Sequence, residues 1–260
     1  MTEVRLRART VSEIVDAAFA LYRRDIGQYM LLMAIAITPQ VITQIVLRQD
    51  GSFGLTSAIV GIVSVLVSAF TYTVGTAAII KYGAAVYLGE PADLDATVRS
   101  VIPKVGRILW AGFLKALLYF LGFLFFFVGW FYVLARYFAV TSAIILEDTR
   151  TGPAFARSSA LSSGRKRHIL NAILLVGIIY ILLSACIAAI GVVLKSAVIT
   201  LVLATAFQVV AYPIFGLTTM LLYYDCRIRS EGFDIEQMAA ALGMDAGTAP
   251  ATSGAALPAS

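Results

Sequence analysis

The chain has 260 residues, 60% of them hydrophobic and 13% charged, with a mean hydropathy of +0.89, whereas a soluble domain carries about 25% charged residues. There is too little polar surface to cover a globule in water, so a soluble protein is excluded and the surplus apolar side chains must face lipid. The net charge of +5 does not point to nucleic acid, because the basic residues stand beside apolar runs, where the excess of Lys and Arg in cytoplasmic loops accounts for them.

The first 25 residues are polar and basic, without the apolar core and small-residue cleavage site of a secretory signal. The first span is therefore expected to serve as its own insertion signal. Thr10-Val-Ser-Glu13 reads as a capping box opening a helix over 10–22. Val11, Ile14, Val15, Ala18, Phe19 and Tyr22 make one face apolar, and the helix is too short and charged to span, so it is expected to lie in the interface. Arg23 and Arg24 mark the inner edge of a first span at 26–47. Pro39 is expected to kink it. Gln40 and Gln44, one turn apart, should face protein, since an unpaired amide in hydrocarbon is costly. After a polar loop, a second span is predicted at 57–80, with Ser64 and Ser68 suited to close helix contact and Lys81 at its end.

A second amphipathic helix is predicted at 92–102, with Leu94, Val98 and Val101 on one face. Lys104 and Arg107 then flank the longest apolar run, Ile108–Leu146. At about 20 residues per helical crossing, this run reads as two spans, 108–128 and 130–146. Gly129 is expected to supply the reversal, and Trp130 and Tyr132 to sit at the water interface. A weaker amphipathic helix at 153–162, resting on Phe155 and Leu161, precedes the basic run Arg165-Lys166-Arg167. A fifth span is predicted at 169–192, a tight turn at Lys195-Ser196, and a sixth span at 197–224 with Gln208 and Pro213 inside it. Asp234 is expected to cap a last short helix over 234–242, followed by a disordered tail, 244–260. Cys186 and Cys226 fall at opposite ends of neighbouring spans, too far apart for a disulfide.

The fold class is thus all-α: a polytopic membrane bundle of about six transmembrane helices in three hairpins, each entered by a short cytoplasmic amphipathic helix, in one domain over 1–243. Of the twenty Lys and Arg, fifteen fall on the side that holds both termini, and only Arg48 and Lys195 fall on the other. This predicts a multi-pass protein of the cell membrane with both ends cytoplasmic. The three helix-plus-hairpin units start near Thr10, Pro91 and Gly152 and suggest a degenerate repeat.

Several segments resemble a bacterial family, the glycerophosphoryl diester phosphodiesterase membrane domain. They are the opening Arg9-Thr-Val-Ser-Glu-Ile-Val-Asp-Ala-Ala-Phe-Ala-Leu-Tyr22, Ala135-Arg-Tyr-Phe-Ala139 followed by Leu146-Glu147, Ala156-Arg-Ser-Ser-Ala-Leu-Ser-Ser-Gly164, and the ending Leu222-Tyr-Tyr-Asp-Cys-Arg-Ile-Arg-Ser-Glu-Gly-Phe-Asp234. The family name comes from members that carry this unit beside a phosphodiesterase domain. This chain is similar to the many members without one. The resemblance implies a membrane unit that can dock a partner.

Phosphodiester cleavage in that enzyme class uses paired histidines and metal-holding carboxylates. The single histidine here, His168, stands beside Arg165–Arg167 and is expected among lipid headgroups. There is no Gly-x-Ser-x-Gly, phosphate loop or zinc spacing. No catalytic residue, metal or cofactor is therefore expected, and the chain is read as a non-enzyme.

Two cations fall inside predicted spans that hold no Asp or Glu: Lys115 and Arg136. Ionisable groups at such positions are expensive and usually functional. Lys115 lies about 12 Å from Arg107 at 1.5 Å per residue, near the reach of a snorkelling lysine. Arg136 either snorkels or bonds helix-end carbonyls and the amides of Gln40, Gln44 and Gln208, or else it binds an anion. Arg227, Arg229, Glu231 and Asp234, with Asp225, are expected to form a cytoplasmic ion-pair network, each exposed pair contributing little.

Two functions remain open. One is a membrane anchor or scaffold that binds anionic lipid headgroups through Arg23, Arg24, Lys104, Arg107, Arg165, Lys166 and Arg167, or a protein partner at the same face. The other is a transporter or exporter of an anionic or amphipathic solute with Arg136 in the pathway. An enzyme acting on lipid ranks third.

Overall fold

The computed structural model describes residues 8–50, 54–124 and 128–232, and these are helical almost throughout, with no strand among them. The helices are α1 (Val11–Arg24), α2 (Ile26–Asp50), α3 (Leu55–Leu88), α4 (Leu94–Val101), α5 (Val105–Leu124), α6 (Val128–Arg136), α7 (Val140–Leu146), α8 (Thr151–Leu161), α9 (Lys166–Leu194) and α10 (Ala197–Glu231), with a 3-10 turn at Ile102–Lys104. Six stretches are long and apolar enough to cross a membrane, over 26–46, 58–88, 94–124, 128–146, 166–194 and 197–231. The chain is a multi-pass all-α bundle.

Long α-helices are what such a sequence must form, because backbone N–H and C=O groups in hydrocarbon have no partner except one another. The spans pair as three antiparallel hairpins, α2 with α3, α5 with α6, and α9 with α10. Each hairpin crosses where one side chain is missing. A Cβ on Gly75 would meet the Ala36 Cβ at 2.4 Å, one on Gly129 would meet the Gly122 carbonyl at 2.6 Å, and one on Gly191 would meet the Thr200 hydroxyl at 2.4 Å. Small residues of this kind let backbones touch where there is no water to drive helices together. Gly129 therefore packs inside the first turn of α6 instead of making the reversal expected of it. The α2–α3 crossing likewise rests on Gly75 and on the Thr71 hydroxyl, which donates to the Ala36 carbonyl at 2.8 Å.

Helix α10 runs through the middle of the basic end, touching α1, α2, α3, α7, α8 and α9. From Pro213 to Ile228 most of its residues are buried. Two helices outrun their predicted ends. α3 continues two turns beyond Lys81, whose ammonium donates to Ser100 at 2.6 Å. α10 continues through Tyr223–Glu231 and stops at Gly232, in the left-handed region (φ 66°). The Lys195-Ser196 turn forms as expected, with Lys195 left-handed and Ser196 capping α10.

The capping box of α1 is present, Thr10 N–H donating to Glu13 at 2.8 Å and the Glu13 N–H to Thr10 Oγ1 at 3.4 Å. Its apolar face, however, does not lie against lipid. Ile14 and Ala18 are fully buried, and α1 packs on α9 and α10. The proline kinks are not where helices break: Pro39 and Pro213 both sit inside unbroken helices. The interruption falls in the fourth span, between α6 and α7, at Tyr137–Ala139. The cysteines are free, Cys186 exposed and Cys226 buried. The last predicted helix with Asp234, the tail 244–260, and Arg5 and Arg7 lie outside the described residues.

Candidate functional site

Polar chemistry gathers at three places: an ion-paired collar, a phenol shared by two cations, and a cavity with one ammonium.

The collar holds the helix ends together. Glu147, just past α7, accepts from Arg157 of α8 at 2.8–3.0 Å and from the Tyr223 hydroxyl at 2.5 Å. Arg157 also donates to both oxygens of Glu231, and Arg227 donates to Glu231 at 3.1 Å. These bonds, to Glu231 first and Glu147 second, raise the Arg157 guanidinium well above its ordinary range. A second knot surrounds Asp225, which is 2% exposed. It accepts from the Arg9 backbone N–H at 2.7 Å and from Arg229 at 2.8 Å, with His168 at 3.2 Å. Arg229 reaches on to the Arg9 carbonyl at 2.6 Å, and Arg165 to the Arg229 carbonyl at 2.9 Å. A third is exposed: Asp148, at a left-handed position (φ 52°), takes Lys104 at 3.0 Å and Arg107 at 2.9 Å. Hydrogen bonds from Lys104 and then Arg107 hold its carboxyl below the usual carboxylate range.

The predicted network of Asp225, Arg227, Arg229 and Glu231 is thus divided between two knots. Its principal partners, Glu147, Arg157, Tyr223, Arg9 and His168, lie far off in the chain. All but His168 lie in segments quoted above: Arg9 in the opening, Glu147 after Leu146, Arg157 in 156–164 and Tyr223 in the ending. His168 is engaged with Asp225. Lys104, Arg107 and Arg165 are spent on internal acceptors, while Arg23, Arg24 and Arg167 point outward.

The break in the fourth span is lined by α8. The Ser158 hydroxyl donates to the Arg136 carbonyl at 3.0 Å and accepts from the Ala139 N–H at 3.1 Å; the Ser162 hydroxyl donates to the same carbonyl at 3.3 Å. Backbone groups released by the interruption thereby gain partners, as irregular backbone at membrane depth requires. Just before the break, the Arg136 guanidinium donates to the Tyr132 hydroxyl at 2.7 Å and stands 5.7 and 5.6 Å from the Tyr132 and Tyr137 ring centres. The Lys166 ammonium reaches the same hydroxyl at 3.4 Å and lies 4.5 Å from that ring centre. Tyr132 is 44% exposed. Among the described residues no carboxylate pairs with either cation. Arg136 is therefore neither stretched to the far interface nor bonded to the glutamines. Among the described residues, Lys115 bonds to Thr141 and Arg136 to Tyr132, not to Gln40, Gln44 or Gln208.

Lys115 does not snorkel. Its ammonium donates to the Thr141 hydroxyl of α7 at 3.3 Å, on the wall of a cavity of about 460 Å³ between α3, α5, α6, α7, α9 and α10. Tyr119, Trp130, Tyr137, Thr76 and Thr219 contribute polar edges to a lining that is otherwise aliphatic and aromatic. Arg136 is not part of that lining.

Compared with family models, curated proteins and solved structures, the chain matches none.

Proposed function

We propose that the protein is a non-enzymatic membrane anchor or scaffold in the cell membrane, with its arginine-rich end and both termini in the cytoplasm, where it holds anionic lipid headgroups. One observation carries the reading: Arg136 and Lys166 converge on a single exposed phenol with no carboxylate between them among the described residues. Two cations so placed repel until an anion joins them, and the phosphate of a lipid headgroup answers both. Arg167 at the start of α9, and Arg23 and Arg24 at the end of α1, add outward charge, each contributing about 1 kcal/mol near an anionic surface. Lys104, Arg107 and Arg165 add less, because internal partners hold them. The excess of Lys and Arg at one end supports the orientation, and the resemblance to the phosphodiesterase membrane domain supports partner docking at the same face.

The test is lipid retention by mass spectrometry of the intact protein from mixed phosphatidylglycerol and phosphatidylcholine membranes. The wild type is expected to keep phosphatidylglycerol preferentially, and R136Q/K166Q to lose most of that preference. Equal retention by both proteins ends the proposal. Tags at the two termini that can be reached from outside intact cells end the orientation.

A second reading, an exporter of an anionic amphiphile, draws on the cavity beside Lys115 and no longer on Arg136.

A further inference from the structure

Lys115 lies about 15 Å along α5 from Val105 at 1.5 Å per residue, near the middle of a helix of 20 residues. An unpaired cation at such depth is costly, and three things relieve it: retreat to the interface, loss of the proton, or an anion brought to it. Retreat is not what the side chain does, because it turns inward to a neutral hydroxyl on α7. The surroundings are those of a ligand site rather than a packing fault. The cavity's volume of about 460 Å³ falls within the ~300–1,000 Å³ usual for small-molecule sites, and its make-up, mostly apolar with a few converging polar groups, is theirs too. It also opens sideways: Ile178 and Ile181 of its lining are 53% and 63% exposed, so anything entering from the lipid phase passes over an aliphatic lip.

We propose that this cavity binds the carboxylate end of a single-chain amphiphile, a fatty acid or a molecule of the same form, with Lys115 and Thr141 donating to its two oxygens and the chain leaving past Ile178 and Ile181. One ammonium and one hydroxyl match a monoanion with two acceptor oxygens. A phosphodiester with its glycerol backbone would bring more polar groups to this depth than the lining can satisfy. The site is separate from the one at Tyr132, so either proposal can fail without the other.

The test uses the full chain in phosphatidylcholine nanodiscs and palmitate carrying a diazirine on its chain. Saturable labelling is expected on the α5, α6 and α9 segments that line the cavity. Unlabelled palmitate should compete, and the matching fatty alcohol should not. K115M is expected to lower labelling at least about tenfold, and K115R to restore most of it. The K115M protein should melt no lower than the wild type, because it loses an unpaired cation, so weak labelling will not reflect unfolding. Labelling of K115M at the wild-type level overturns the proposal, as does equal competition by the alcohol. Competition by phosphatidylglycerol as strong as that by palmitate assigns the cavity to a two-chain lipid and overturns the fatty-acid reading.

Discussion

The two ends of the bundle are held by different means. At the arginine-rich end α10 is enclosed by six other helices, and Leu217, Met220, Leu222, Tyr223 and Cys226 are fully buried. At the opposite end Ile62, Val65, Leu66, Leu124, Val192, Val193 and Val198 are all more than 60% exposed. The first region is organised like a soluble core, with buried apolar surface tied by ion pairs. The second has lipid for its neighbour, gains nothing from hiding its aliphatic groups, and relies on one close crossing per hairpin. Damage should accordingly act by a different rule in each half.

The largest effect is expected at Asp225. Truncation to Ala leaves Arg9 N–H, Arg229 and His168 without their shared acceptor, and removing one member of a buried charged cluster costs about 3–5 kcal/mol. Reversible unfolding in detergent should register it, and a loss below about 1 kcal/mol would mean that the knot is ornamental. In the opposite half, G129V forces a side chain against the Gly122 carbonyl and should cost about 1–3 kcal/mol by overpacking, with faster hydrogen exchange confined to α5 and α6. Spread of that effect to the collar would break the division into halves. S158A should cost about 1 kcal/mol, because Ser162 still serves the Arg136 carbonyl while the Ala139 N–H is orphaned; exchange at Ala139 reads it directly.

Acid provides a gentler probe. The Asp148 carboxyl titrates lower when folded than its unfolded value of about 3.9. Its contribution is therefore complete above that pH and disappears as the pH falls through the lower, folded value. Exchange near Lys104–Arg107 should rise only in strong acid, the lipid-facing half should not respond, and D148N should abolish the response. Smallest of all, V65L on the lipid-facing side of α3 should change stability by no more than about 0.5 kcal/mol.

Much of this division is legible in the sequence. The number of long apolar helices follows from apolar run length, and the cap on α1, the Lys195-Ser196 turn and the free thiols follow from local chemistry. Local signals fail where the deciding partner is remote. Nothing near Lys115 says that Thr141 will draw its ammonium inward, and nothing near His168 announces Asp225 across 57 positions. Proline does not mark the interruption: Pro39 and Pro213 lie within continuous helices, and the fourth span parts at Tyr137–Ala139, where Ser158 and Ser162 receive the freed groups. Glycine misleads: Gly129 looks like a corner and acts as a missing side chain.

That serine-lined interruption also bears on how the chain is made. Residues 128–146 leave the ribosome before the hydroxyls that complete them do. Until Ser158 emerges, the Ala139 amide has no acceptor and the Arg136 carbonyl no donor. The fourth segment must then either rest half-inserted at the translocon or borrow water. Its final seating is scheduled by the emergence of α8, and nascent chains arrested before and after Ser158 has left the ribosome should differ in how far Thr141 is shielded from aqueous reagents.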